Sequence, residues 1–272
     1  MTASGPAAVS RVAADGLDRR FHAMLGVARE AGMMARGFLG DRNRLKVRAK
    51  GPQDWLTEAD GAVERLIIER LGAEFPGDVF LGEEGGGRVG ASMWVIDPID
   101  GTANFARGIH RFAVSIAYCR NGRTELGAIY NPMADELHCA RRGVGAWRNE
   151  TAIRVSTTDR PAAALIDAAY SHRHVFADYI VIVTRLVEAG YAFQQAGSAV
   201  LALAHVADGR IDGACELHLF PWDVLAGLLI VREAGGWTAD FDPHNQAGGP
   251  MLACTPVLAP SLRAITGIGQ GP

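Results

Sequence analysis

The stretch Trp94-Val95-Ile96-Asp97-Pro98-Ile99-Asp100-Gly101-Thr102-Ala103-Asn104-Phe105 constrains this chain most, because it sets two acids three residues apart behind an apolar run. Met93 to Ile96 reads as a buried strand, Pro98 as the residue that stops its ladder, and Gly101 as a tight bend into a short helix. Asp97 and Asp100 then face one point at the strand's end. Two carboxylates so placed repel, and they share a proton or hold a cation; all-oxygen donors suit Mg²⁺ best. The Gly101 and Thr102 amides stand free at a helix start, where an anion such as phosphate is favoured.

Three further segments carry acids. Val79-Phe80-Leu81 reads as a strand ending in Gly82-Glu83-Glu84. Pro221-Trp222-Asp223 opens the apolar run Val224 to Val231, with Pro221 and Asp223 in the first helical turn. Thr57-Glu58-Ala59-Asp60 opens a segment with Val63, Leu66, Ile67 and Leu71 at helical spacing. Each has a plainer reading. Asp60 completes a capping box with Thr57, Asp223 complements a helix dipole, Glu84 is a solvated loop residue, and Gly197-Ser198 before Val200 to Val206 is a helix N-cap. Asp97 and Asp100 resist such a reading, since two acids tucked behind Trp94-Val95-Ile96 need compensation.

Together these pieces resemble the inositol monophosphatase family, within the lithium-sensitive, Mg²⁺-dependent phosphomonoesterases. Asp97-Pro98-Ile99-Asp100-Gly101-Thr102 matches the family's central metal motif and Gly82-Glu83-Glu84 its upstream glutamate element. Trp222-Asp223 with Glu233-Ala234-Gly235-Gly236 matches its C-terminal signature, and order and spacing fit over roughly residues 17 to 265. The resemblance implies two or more Mg²⁺ ions per site: Glu83, Asp97 and the carbonyl of Ile99 would hold the first, and Asp97, Asp100 and Asp223 the second. It implies that Thr102, oriented by Asp60, helps activate a metal-bound water for in-line attack on phosphorus, with Glu83 part of the catalytic group. Such chemistry needs no covalent intermediate.

Substrate contacts implied in the same way are Asp100, Gly101, Thr102, Gly197, Ser198, Ala199, Glu216 and Asp223. Glu216 stands seven residues before Asp223 and suits the hydroxyls of a polyol, or an amine. The implied activity is hydrolysis of a small-molecule phosphate ester, with inositol monophosphate first. Histidinol-phosphate phosphatase, fructose-1,6-bisphosphatase and 3'-phosphonucleotide phosphatase are the alternatives within the superfamily. A protein-interaction or regulatory module with secondary turnover is the alternative outside it. A homodimer and lithium sensitivity are implied by the family alone.

Other patterns lead nowhere. Gly85-Gly86-Gly87-Arg88-Val89-Gly90 satisfies G-x-G-x-x-G, but a strand follows instead of a helix, so a flexible loop over the metal site fits better than a dinucleotide site. His172 and His174 read as structural or substrate-adjacent. Arg141-Arg142 reads as a solvated turn, with a phosphate contact as the other option. Trp55 and Ala103 depart from the commonest family pattern, and the roles of Lys50-Gly51 and of His218 to Phe220 stay open. The net charge of -3 argues against nucleic acid or an anionic membrane as partner. Cys119, Cys139, Cys215 and Cys254 have no paired spacing, which suggests a reduced, cytoplasmic protein. No apolar run is long enough to span a membrane.

Along the chain, Leu17, Phe21, Met24, Leu25, Ala28 and Ala35 form one stripe of a first helix. Phe112 to Cys119, Glu125 to Tyr130 and Glu136 to Ala140 read as antiparallel strands, with Asn121-Gly122 a hairpin turn. Strands near Ala152 to Val155 and Leu165 to Tyr170, a helix from about Val175 to Glu188 and the Tyr191 to Gln195 strand follow. The Val200 to Val206 helix, Ala214 to Leu217 strand, Val224 to Glu233 helix and strands Trp237 to Phe241 and Met251 to Cys254 complete the pattern. This mixed order argues for a layered α/β (α+β mixed) protein. The resemblance sharpens it to an αβαβα sandwich of the inositol monophosphatase / fructose-1,6-bisphosphatase type. Residues 1–16 would be a disordered lead, 17–160 an N-terminal α+β half with most metal ligands, and 161–272 a C-terminal α/β half, forming one compact unit.

Overall fold

Leu17, Met24, Ala28 and Ala35 are buried along one side of α1 (Leu17–Leu39) in the computed structural model, which describes residues 16–39, 48–51 and 54–270. Phe21 and Leu25 flank that stripe, half-buried. The expected lead over 1–15 and the side chains of Lys50 and Trp55 lie outside the described residues.

The hairpin of β1 (Arg48–Gly51) and β2 (Asp54–Leu56) leads to helix α2 (Glu58–Glu74). Next come β3 (Val79–Gly82), β4 (Gly86–Gly87), β5 (Ser92–Asp100), helix α3 (Thr102–Arg107), β6 (Ala113–Arg120), β7 (Arg123–Asn131), β8 (Glu136–Arg141), β9 (Gly145–Arg148) and β10 (Thr151–Ala152). The later elements are β11 (Leu165–Ala169), α4 (Phe176–Glu188), β12 (Ala192–Gln194), α5 (Ala199–Ala207), β13 (Gly213–Leu219), α6 (Pro221–Glu233), β14 (Trp237–Thr238), β15 (Gly249–Cys254) and α7 (Ala259–Thr266).

Two sheets carry the architecture. One has eight strands in the order β10-β9-β8-β7-β6-β5-β3-β4, antiparallel except for the β3/β5 pair. The other has five, in the order β12-β11-β13-β15-β14, and mixes parallel with antiparallel pairs. Strand alternation sorts the apolar residues of β5 between two cores. Trp94 and Ile96 pack under α1 and α2 on the outer face of the larger sheet. Met93 and Val95 face the opposite way, onto α5 and α6, which reach Ala214 and Met251 of the smaller sheet. Ile182 of α4 and Leu262 of α7 cover that sheet's far face at Ile166, Cys215 and Leu252. The layers are therefore α, β, α, β, α, as expected.

Several elements differ from the sequence reading. Pro98 does not stop the ladder, because β5 pairs with β6 as far as Asp100. The glycine run after Glu84 folds back on β3 as β4 instead of forming a loose loop. The strands expected over 152–155 and 237–241 shrink to the two-residue β10 and β14, each at a sheet edge with a single partner. Helix α7 was not expected: Ala259 and Leu262 alone are buried in it, too sparse a stripe to show periodicity. The Asn121-Gly122 turn has φ of 52° and 72°, the left-handed pair such a hairpin requires. All four cysteines are free and buried. Among the described residues no helix is long and apolar enough to cross a membrane.

Candidate active site

Residues three apart on a regular strand point to opposite faces, yet Asp97 and Asp100 share one. Asp97 pairs with Ser115 and Asp100 with Ala113, so β5 uses three residues where β6 uses two. The extra residue is a β-bulge, and Pro98, which has no N–H to offer a ladder, sits within it. Ile99 turns into the α1/α2 core while both acids face the α5/α6 layer. The Ile99 N–H donates to Asp97 Oδ1 at 3.0 Å and fixes the bend.

Asp223 reaches the same point from the start of α6. Its Oδ2 accepts the Phe220 N–H at 2.7 Å, and the Ser115 hydroxyl donates to Trp222 O at 3.3 Å, which docks the helix start beside β6. Ligand atoms of Asp97, Asp100 and Asp223 lie within 4.8 Å of one another. Burial lifts Asp97 and Asp223 well above the usual carboxylate range, and the charge of Glu83 adds to it in both. Burial raises Asp100 to about 6, held back by the Ser198 hydroxyl and by amides at the start of α5. Converging buried carboxylates of this kind fit a hard divalent cation, whose charge would offset their repulsion.

The two readings of Asp60 prove compatible. Its Oδ2 accepts the Thr57 N–H at 2.8 Å and the Thr57 hydroxyl, completing the capping box. Its Oδ1 lies 3.3 Å from Thr102 Oγ1, which also donates to Ile99 O at 2.9 Å. Burial raises the Asp60 carboxyl to about 6. The Glu83-Glu84 turn is held by an acid the sequence reading missed. Glu64, buried in α2, accepts the Glu84 and Gly85 amides at 2.9 and 2.6 Å. A Cβ at position 82 would come within 2.4 Å of Glu64 Oε2, so a larger residue there would displace that carboxylate from the two amides.

Helix α5 closes the site. Ser198 Oγ accepts the Leu201 N–H at 3.3 Å as a true N-cap, and its hydroxyl donates to Asp100. Asn104 Nδ2 lies 2.9 to 3.1 Å from the carbonyls of Arg111, Ala196 and Gly197, tying α3 to the turn before α5. A pocket of about 210 Å³ opens here, lined by Asp100, Gly101, Gly197, Ser198, Ala199, Glu216 and Asp223, while Thr102 is not among its lining residues. Asp167 and Arg173 also line it and were not singled out in advance. Burial and the charges of Asp100 and Asp167 push Glu216 up to about 8, with Arg173 pulling it back. The Arg173 guanidinium lies 5.1 Å from the centre of the Phe220 ring, which stacks on Trp222, and of the segment before Asp223 it is Leu219 that lines the pocket.

The remaining candidates lie elsewhere. Arg141 pairs with Asp18, and Arg142 donates to Thr124 O at 2.7 Å, so neither greets the pocket. His174, two residues before α4, pairs with Asp178 in the first turn of that helix at 3.0 Å.

Layered sheets and helices converge here on three acids able to hold a cation, and family membership makes the chain a phosphoric monoester hydrolase of the mixed α/β class. The chain belongs to the inositol monophosphatase family, whose family model matches residues 17–267. It is similar to an inositol-1-monophosphatase of Rhizobium meliloti, 42% identical over 239 residues that cover 85% of this chain and 90% of the relative. It is also similar to the Nus factor SuhB of Escherichia coli, at 39% identity over 254 residues, 89% of this chain and 95% of the relative. Among solved structures, the extragenic suppressor protein suhB of Bartonella henselae superposes with a TM-score of 0.86 at 34% identity, covering 91% and 98% of the two chains.

Proposed function

We propose that the protein is a Mg²⁺-dependent phosphomonoesterase acting on a small polyol phosphate, inositol monophosphate first. The observation that carries this reading is the convergence of Asp97, Asp100 and Asp223 beside the pocket that Glu216 lines. Glu83, Asp97 and the Ile99 carbonyl would hold one ion, and Asp97, Asp100 and Asp223 would hold a second. When bound, the ions supply Lewis acidity that acidifies a water and neutralises charge on the phosphoryl group. The protein's own groups do the rest. Thr102 and Asp60 orient the attacking water: with the Thr102 hydroxyl turned from Ile99 O to Asp60 Oδ1, 3.3 Å away, Thr102 Oγ1 accepts the water's proton as it passes its own to Asp60. The Gly101 and Thr102 amides bind phosphoryl oxygens, Ser198 and Ala199 hold Asp100 in place, and Glu216 accepts hydroxyl hydrogens of the leaving alcohol.

The same reading extends to a homodimer in the cytoplasm, lithium-sensitive, with halves 17–160 and 161–272 forming one compact unit. Support comes from the family membership and from four buried free cysteines, which suit a reducing compartment. The experiment is phosphate release from inositol 1-phosphate, histidinol phosphate, fructose 1,6-bisphosphate, adenosine 3',5'-bisphosphate and glycerol 2-phosphate, with Mg²⁺ and with chelator. Mg²⁺-dependent release led by inositol 1-phosphate supports the reading; release from none of them overturns it.

A second reading, that partner binding is the main role and turnover secondary, is favoured by the Nus factor name of relatives at 39% identity. Asp97→Asn separates the two: it ends turnover, while a binding role survives it.

A further inference from the structure

Strands β11 and β13 run parallel, with Asp167 paired to Ala214 and Ala169 to Glu216. Paired residues on neighbouring strands share a face, and residues two apart on one strand do too. Asp167 and Glu216 therefore both project to the α5 side, where Ala214 packs, and both line the pocket beside Asp100 and Asp223. Asp167 is 3% exposed, and it accepts two hydrogen bonds on a single oxygen. Gln194 Nε2 donates to Oδ2 at 3.1 Å and the Ala196 N–H to the same atom at 3.2 Å. Oδ1 takes part in neither bond. The carboxylate is thus fixed in orientation by the turn that precedes α5, with its second oxygen left for a partner.

The ionised Asp167 carboxylate accepts and cannot donate, so whatever meets its second oxygen must present an O–H or N–H group. An alcohol that carries several hydroxyls satisfies the acceptor oxygens of Asp167 and Glu216, and a plain alkyl group leaves them unpaired. We propose that Asp167 is a specificity-determining residue: with Glu216 it accepts hydroxyl hydrogens of the leaving alcohol and selects polyol phosphates over alkyl phosphates. The inference rests on the phosphomonoesterase reading above.

The test compares inositol 1-phosphate with cyclohexyl phosphate, which has the same ring without the free hydroxyls, in wild type and in Asp167→Asn with Mg²⁺. The amide keeps an acceptor for the Ala196 N–H and turns the other atom into a donor. The ratio of kcat/KM values, inositol 1-phosphate over cyclohexyl phosphate, is expected to fall about tenfold through KM, as for the loss of one charge-assisted hydrogen bond. If cyclohexyl phosphate turns over too slowly to follow, its inhibition constant replaces it in the ratio. A residue that merely braced the turn before α5 would lower both substrates alike. An unchanged ratio in an active enzyme therefore overturns the role of Asp167 alone, whereas a wild type that releases phosphate from no ester overturns the phosphatase reading with it. Asp167→Ser is measured in the same way should the asparagine variant fail to fold.

Discussion

The Ser198 hydroxyl donates to the Asp100 carboxylate, and the Val200 N–H donates to the same oxygen at 3.2 Å. One hydroxyl thus caps α5 and restrains an acid of the other sheet, 98 residues away in sequence. Helix placement and site electrostatics are coupled through this one side chain.

Ser198→Ala is expected to lower stability by about 1 kcal/mol, the usual cost of a lost N-cap. It should also raise the pKa of Asp100, because the lost bond favours the charged form. Thermal unfolding checks the first effect, and an upward shift of the acid limb of Mg²⁺ binding checks the second. An unaltered melting temperature would show that the cap is dispensable.

The metal-free protein should lose stability as pH rises. Burial lifts Asp60, Asp100 and Asp167 to about 6 and Glu216 to about 8, while Asp97 and Asp223 go well above their ordinary value. Between about pH 4 and these values the folded chain holds protons that the unfolded chain has released, so stability falls with increasing pH. Asp78 and Asp208, held below their ordinary value, act in the opposite sense at more acidic pH, and His205, lowered by burial, does so below its ordinary 6.5 as one group against several. In chelator, the urea midpoint should be higher at pH 5.5 than at pH 8, with Mg²⁺ restoring the loss at pH 8. A midpoint that climbs with pH contradicts this.

Asp97→Asn removes the most crowded acid. Phosphate release should drop by about a thousandfold or more, since several kcal/mol of charge stabilisation depend on the ions it holds. The metal-free variant should melt at or above the wild type, because a buried repulsion is relieved. Lower stability without metal would mean that Asp97 has a structural role beyond its charge.

Gly101→Ala should cost about 2 kcal/mol and impair turnover. Its φ is +88°, and a Cβ would come 2.8 Å from Arg111 O and 3.1 Å from Gly197 O. Urea unfolding of the variant gives the number; a cost under half of that would mean the turn relaxes freely.

Much of this architecture is legible in the sequence, and the exceptions share a cause. The Met93 to Ile96 run, the Asn121-Gly122 turn and the Thr57/Asp60 box are local patterns, and each forms where expected. Glu64 and Asp167 could not be found in that way. Glu64 occupies an ordinary helical position, and its function exists because the chain returns 20 and 21 residues later with two free amides. Asp167 sits in a short strand of unremarkable composition, and parallel pairing with β13 is what sets it beside Glu216. Long-range pairing leaves little trace in one sequence. Pro98 misled for a related reason: a proline near a strand end signals termination or a bulge equally well, and the pairing partner decides.

The bulge in β5 is what lets two acids three residues apart share a face. Pairing the same residues with β6 in unbroken alternation would turn Asp100 out of the pocket, whereas a replacement at Pro98 or Ile99 that keeps the bulge would leave both acids where they are. The meeting of the two acids therefore hangs on one irregularity in strand pairing, a feature of the backbone that neither acid supplies.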